Sequence, residues 1–283
     1  MLTTFRKTAV AAALIMACSA GSAFAASVTA KFTGVDSARG DNIGVRFQNS
    51  FANQTSYTSY STWAGALNWS ASGAGLGWSG QSFPGPATFN TLCIEFTQHI
   101  SNNQTIAYQV ENLTNSPKPF GNPPGNPGGT GMGGMNGLGT TRAKDTLIRQ
   151  LFNEFYSTLG NDKHAWAGFQ ATIWKVIFET NTVNAANGFT SIASGNFQVN
   201  SANPNVISKA NQYLSFLTSA NGAAEPTRDG LWALTNGTAQ DQVFLDNLTT
   251  SSTPVIPLPP AAWAGVAMLS ALGVRNMVRA RRA

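Results

Sequence analysis

The strongest constraint on this chain is a change of hydrophobic period part-way along it. Through the first half, apolar residues alternate with polar ones. The alternating stretches are Ser27–Gly34, Ile43–Gln48, Trp63–Trp69, Phe89–Ile100 and Thr105–Glu111. A period of two belongs to strands with one buried face. Between Pro117 and Thr140, nine Gly and five Pro in 24 residues erase any pattern. Such a composition cannot bury enough apolar surface to order itself, which predicts a long mobile loop over 117–140. Beyond it the period lengthens: Leu147, Leu151, Phe155 and Leu159 recur every four residues, and Gly160 ends the run. Further helices are predicted over His164–Glu179 and Pro204–Leu217, the latter with Asn203 as N-cap before a first-position proline. Strand character returns in Gly230–Thr235 and Gln242–Leu245. Strands, helices, then strands predict one α+β domain spanning residues 27–250.

Charge excludes one class of partner. The formal net charge is +5, yet Arg6 and Lys7 lie at one end and Arg275, Arg279, Arg281 and Arg282 at the other. Without those six, 11 basic residues face 12 acidic ones. A phosphate-binding surface therefore lacks support, and no nucleic-acid partner is expected.

Both ends read as addresses. Arg6-Lys7, the apolar run Ala9–Cys18 and the small residues Ser22-Ala23-Phe24-Ala25 form the three parts of a secretory signal peptide over residues 1–25. At the far end, Pro254-Val-Ile-Pro257-Leu258-Pro259-Pro260 leads into fourteen largely apolar residues, 261–274, and then Arg275 and a basic finish. That run is short of the roughly 20 residues a lasting span needs, which suits a processed signal. The tail over 254–283 resembles the PEP-CTERM family of sorting signals in its Val/Ile-Pro-Leu-Pro variant, with Leu258 where Glu is usual. The resemblance implies removal of the leader by signal peptidase, transient membrane anchoring, and cleavage near Pro257-Leu258-Pro259 by an exosortase-like enzyme. The product is then released to the cell surface or extracellular matrix.

With Cys18 in the leader, the exported chain carries a single cysteine, Cys93, which has no disulfide partner in its own chain. Only His99 and His164 are present, and no metal-ligand spacing occurs. Neither a metal nor a cofactor is expected. A Cys93–His99 pair would stand about 20 Å apart along an extended strand, too far for proton transfer. Alternation along that strand places Cys93, Glu95 and His99 on one face.

A better pairing joins Thr91-Leu-Cys93-Ile-Glu95 to Phe169-Gln170-Ala171-Thr172-Ile173-Trp174. These segments resemble the two signature motifs of the internal thioester domain of bacterial surface adhesins, in which a strand Cys is paired with a helix Gln. Phe169 stands where Thr is usual, and Ala171-Thr172 inverts the usual order. The resemblance, over roughly residues 85–245, implies an antiparallel β-sandwich or barrel with an inserted helical subdomain carrying the Gln helix. It also implies a Cys93–Gln170 thioester. Such a bond needs contact between the partners, polarisation of the carbonyl and shelter from water. Trp166, Phe169 and Trp174 are expected to give shelter, and Glu95 to serve as a local base or hydrogen-bond acceptor. The implied act is one covalent capture of an amine- or hydroxyl-bearing surface or matrix polymer. Because this is bond formation without turnover, the chain is not expected to be an enzyme. The alternative is a non-reactive structural protein of the extracellular or biofilm matrix.

Overall fold

Alternation does build strands, but the first of them is longer than its pattern suggests. In the computed structural model the stretches around Ser27–Gly34 and Ile43–Gln48 form one strand, β1 (Ser27–Gln48). Irregularities between Phe32 and Gly34 and between Val35 and Gly40 shift its register against the next strand. Such bulges break the strict period of two, and the sequence pattern splits there for that reason. The other strands are β2 (Tyr57–Ala71), β3 (Ala87–Cys93), β4 (Thr105–Asn112), β5 (Phe197–Ser201), β6 (Leu231–Thr235) and β7 (Gln242–Leu245). The structure describes residues 27–48, 57–71, 87–95, 99–116, 137–179 and 191–245, all inside one unit, Ala25–Thr249. The signal peptide over 1–25, residues 117–136 of the Gly/Pro-rich stretch and the tail over 254–283, with Pro257, Leu258 and Pro259, lie outside the described residues.

The fold is α+β, with one antiparallel seven-stranded sheet in the order β2-β3-β7-β6-β4-β1-β5 and a further β2–β1 pairing. β1 serves three neighbours. It pairs with β2 along one edge, while Ser27–Lys31 takes β4 and Gly44–Phe47 takes β5 on the other. The strand expected over Phe89–Ile100 ends at Cys93, because pairing with β2 stops at Thr91 and pairing with β7 covers only Leu92 and Cys93. Glu95 therefore does not continue the face of Cys93 by strand alternation.

Among the described residues, four α-helices lie between β4 and β6 in the chain: α1 (Lys144–Phe155), α2 (Lys163–Phe178), α3 (Pro204–Thr218) and the short α4 (Ala220–Ala224), with β5 between α2 and α3. The Asp162 side chain caps α2 by accepting from the His164 and Ala165 amides, and Asn203 caps α3 through Asn205 N. Every residue of α2 from Ala165 to Ile177 is buried. Gly168 allows this: a Cβ there would stand 2.8 Å from Lys209 Cβ and 3.0 Å from Ala210 N on α3. Within the stretch expected to be a mobile loop, Gly137 and Leu138 are instead packed. Leu138 is buried, and Gly137 N donates to Arg142 O. Leu138 supplies an apolar side chain that the Gly/Pro count overlooks. No helix among the described residues is long and apolar enough to cross a membrane.

Candidate thioester site

Cys93 ends β3, and Gln170 occupies the middle of α2. Strand and helix are held together by a reciprocal pair of hydrogen bonds. Cys93 N donates to Gln170 Oε1 at 2.9 Å, and Gln170 Nε2 donates to Cys93 O at 2.7 Å. The carboxamide thus reads the backbone of Cys93 as a neighbouring strand would, across 77 positions of sequence. Both residues are buried, with Gln170 at 0 % exposure. A primary amide this deep is tolerable only because its oxygen and nitrogen are both satisfied.

The thiol points along a second contact, with Cys93 Sγ donating to Glu95 O at 2.6 Å. Glu95 thus reaches the cysteine through its backbone. Its carboxylate Oε2 accepts from Asp241 N at 3.3 Å, and its carbonyl also accepts from Gln240 Nε2 at 2.7 Å. Burial pushes the Cys93 thiol far above its ordinary pKa. Backbone hydrogen bonding at Glu95 and a hydrogen bond from the Trp174 side chain draw it down, while the charges of Glu95 and Asp241 push it further up. Tyr108, with its hydroxyl on Gln240 O at 3.1 Å, is raised mainly by burial and then by Asp241, Cys93 and Glu95.

The floor of the site is a chain of side-chain hydrogen bonds. Trp69 Nε1 donates to Thr91 Oγ1 at 2.8 Å, and that hydroxyl donates to Gln242 Oε1 at 3.0 Å. Gln242 lies directly across the ladder from Cys93. Ile94 N donates to Asp241 O, and Asp241 Oδ1 accepts from Asn236 N at 2.8 Å. The turn after β3 and the residues leading into β7 are thereby locked to one another.

The three expected shelter residues divide. Trp174, one turn beyond Gln170, reaches the thiol and lies 6.3 Å from the ring of Phe197. Phe169 turns instead into an aromatic cluster with Phe152, Tyr156 and Tyr213, where it cements α2 to α1 and α3. Trp166 donates its indole N–H to Gly160 O and lines a narrow crevice with Thr91 and Leu92. His99 is exposed, and His164 Nε2 lies 3.7 Å from Asp41. No group of three or more metal-ligating side chains occurs among the described residues.

Sequence reasoning missed Asp241, Tyr108, Gln240 and Gln242. The one local signal for Gln240, Asp241 and Gln242 is the polar run they form directly before the apolar Val243-Phe244-Leu245, whereas Tyr108 has none. No family of proteins, curated protein or solved structure shows a match to this chain.

Chemically, the site holds a buried carboxamide on the backbone of the residue that carries the thiol. The Cys93 amide polarises the Gln170 carbonyl oxygen, as an oxyanion donor does. The Cys93 carbonyl holds the amide nitrogen that would leave.

Proposed function

We propose that Cys93 and Gln170 form an internal thioester in an exported surface protein, for a single covalent attachment to an amine- or hydroxyl-bearing surface or matrix polymer. In closure, Sγ bonds to the Gln170 side-chain carbonyl carbon, the C–N bond breaks, and the thiol proton leaves with the amine as ammonia. In capture, an amine or hydroxyl attacks the same carbon, the C–S bond breaks, and sulfur regains a proton. One protein is consumed per bond, so the reading is not enzymatic. The observation that carries it is the two-way hydrogen bonding of the Gln170 carboxamide to Cys93, which supplies the proximity such a reaction requires. The cyclic run of pairings β1–β2–β3–β7–β6–β4–β1 supports reading the scaffold as a small barrel carrying the helices as an insertion. Export through the leader, and cleavage of the tail by an exosortase-like enzyme, belong to the same reading.

A second reading, a non-reactive matrix protein, is favoured by one feature. The thiol is already hydrogen-bonded to Glu95 O, and burial holds it protonated. Intact-mass spectrometry of the mature protein separates the two. The thioester predicts a mass lower than the sequence by one ammonia, restored to the full calculated value by Cys93→Ala or Gln170→Ala. Methylamine then adds its own mass and frees a titratable thiol. A full mass in the wild type, with Cys93 alkylated as soon as the protein is denatured, overturns the thioester.

A further inference from the structure

A groove of about 320 Å³ opens where the end of β4, helix α1 and the segment entering β6 meet. Its walls carry Asn112, Thr114, Arg149, Thr227, Asp229 and Trp232. The size falls at the lower end of small-molecule sites. The wall is fixed by Arg149, which donates from Nη1 to Arg228 O at 3.1 Å and from Nη2 to Asn112 Oδ1 at 3.0 Å. Arg228 N returns a bond to Arg149 O. Asn112 Oδ1 also accepts from Thr114 N, which leaves the Asn112 amide nitrogen without an acceptor among the described residues. The Thr227 hydroxyl and the Asp229 carboxylate likewise make no hydrogen bond to a described residue, and Thr227 and Asp229 are exposed. Trp232 sits opposite Asn112 in the β4–β6 ladder, is half-buried, and stacks on no described ring.

Three kinds of ligand meet this surface differently. An apolar molecule would strand the amide, hydroxyl and carboxylate. A phosphate would meet Asp229 beside the single Arg149, whose charges offset each other. A sugar ring carries hydroxyls round its rim and C–H groups on its faces, which matches a half-exposed indole ringed by short hydrogen-bonding side chains. We propose that this groove binds one or two hexose units of a polysaccharide. Trp232 takes the C–H face of a ring, and Asn112, Thr227 and Asp229 take its hydroxyls. The site uses neither Cys93 nor Gln170, so it stands whether or not the thioester forms.

The test is calorimetric titration of the intact mature protein with cellobiose, maltose and N,N′-diacetylchitobiose. At least one should saturate with a Kd on the order of 1 mM. Asp229→Ala, an exposed change that leaves the fold intact, should weaken it roughly tenfold by removing a charged hydrogen-bond acceptor. Trp232→Phe, which keeps a ring in the strand, should weaken it by a few-fold, and Cys93→Ala should bind as the wild type does. Saturation by none of the three sugars overturns the proposal. So does binding indifferent to Asp229→Ala, displacement of the sugar by inorganic phosphate, or loss of binding in Cys93→Ala.

Discussion

Helix α2 carries two buried polar centres five residues apart, and they are built on opposite plans. Around Gln170 stand a thiol, neutral amides and the carboxyl groups of Glu95 and Asp241. Around Lys175 stands an ammonium whose three protons meet Glu179 Oε2, Ser194 O and Phe197 O. Glu179 in turn takes Asn196 N at 2.9 Å. Lys144 adds a second buried ammonium, bonded to Ile177 O. Gly195 makes the turn around this centre, in the left-handed region at φ +79°, and a Cβ there would fall 2.5 Å from Glu179 Oε2. The lysine centre is saturated and ties α2 to the entrance of β5. The cysteine centre joins a helix carboxamide to the backbone of a strand residue whose thiol donates to Glu95 O. Depth of burial does not distinguish them, and both are hydrogen-bonded; the Lys175–Glu179 ion pair does.

The largest way to break this comparison is Lys175→Met. It leaves Glu179 as a buried carboxylate without its ammonium, and such losses run to about 3–5 kcal/mol. Urea unfolding should show a loss of that size, with part recovered in Lys175→Met/Glu179→Gln. A loss below about 1 kcal/mol would mean that the saturated centre is not structural.

Next comes a comparison of Cys93→Ala with Gln170→Ala. A crosslink closing a loop of 77 residues contributes at most about 4 kcal/mol through the unfolded chain, less any native strain. Under the thioester reading both variants lose that contribution. Under the packing reading they differ, because Gln170→Ala leaves the Cys93 N–H and C=O buried without partners, at roughly 1–3 kcal/mol each, whereas Cys93→Ala removes only a small buried side chain. Near-equal losses in denaturant sharpen the contrast between the two centres; a much larger loss in Gln170→Ala erases it.

The smallest effect is a pH dependence. Burial lowers Lys144 to about 8, partly opposed by the charge of Glu179. The unfolded chain therefore holds this proton up to about pH 10.5, while the folded chain has begun to release it near pH 8. Where the unfolded state binds more protons, stability rises with pH. Between pH 8 and 10 the wild type should gain on the order of 2 kcal/mol relative to Lys144→Met, read from urea midpoints at each pH. A flat difference would place the Lys144 ammonium in a better-solvated setting than the structure gives it.

Local signals carried the helices well. The four-residue spacing marks the first, although the α-helix ends at Phe155, short of Gly160, and Asn203 caps α3 as its position before a proline predicts. The short strands β6 and β7 also announced themselves by composition. β5 did not, because five residues pairing with β1 some 150 positions earlier leave little local pattern. The contacts of Phe169 were not legible for a related reason: α2 is buried all round, so its period cannot say which neighbour each aromatic meets. Asp241 was invisible as a site residue because its partners come from the turn after β3 and the β6–β7 turn; Lys175 stands four residues from Glu179, but its other two partners come from the entrance of β5.

Strand β1 has a further consequence, in time rather than in space. It begins the domain, yet Arg46 donates to Gln198 across 152 positions, and its Ser27–Lys31 edge waits for β4. At about 5–20 residues per second, synthesis needs roughly 8–30 s to supply β5 after β1 has emerged. The first strand made is thus among the last to have both edges covered. Until then it presents a long unpaired edge, and the chain's folding rate is set by the return of residues made much later.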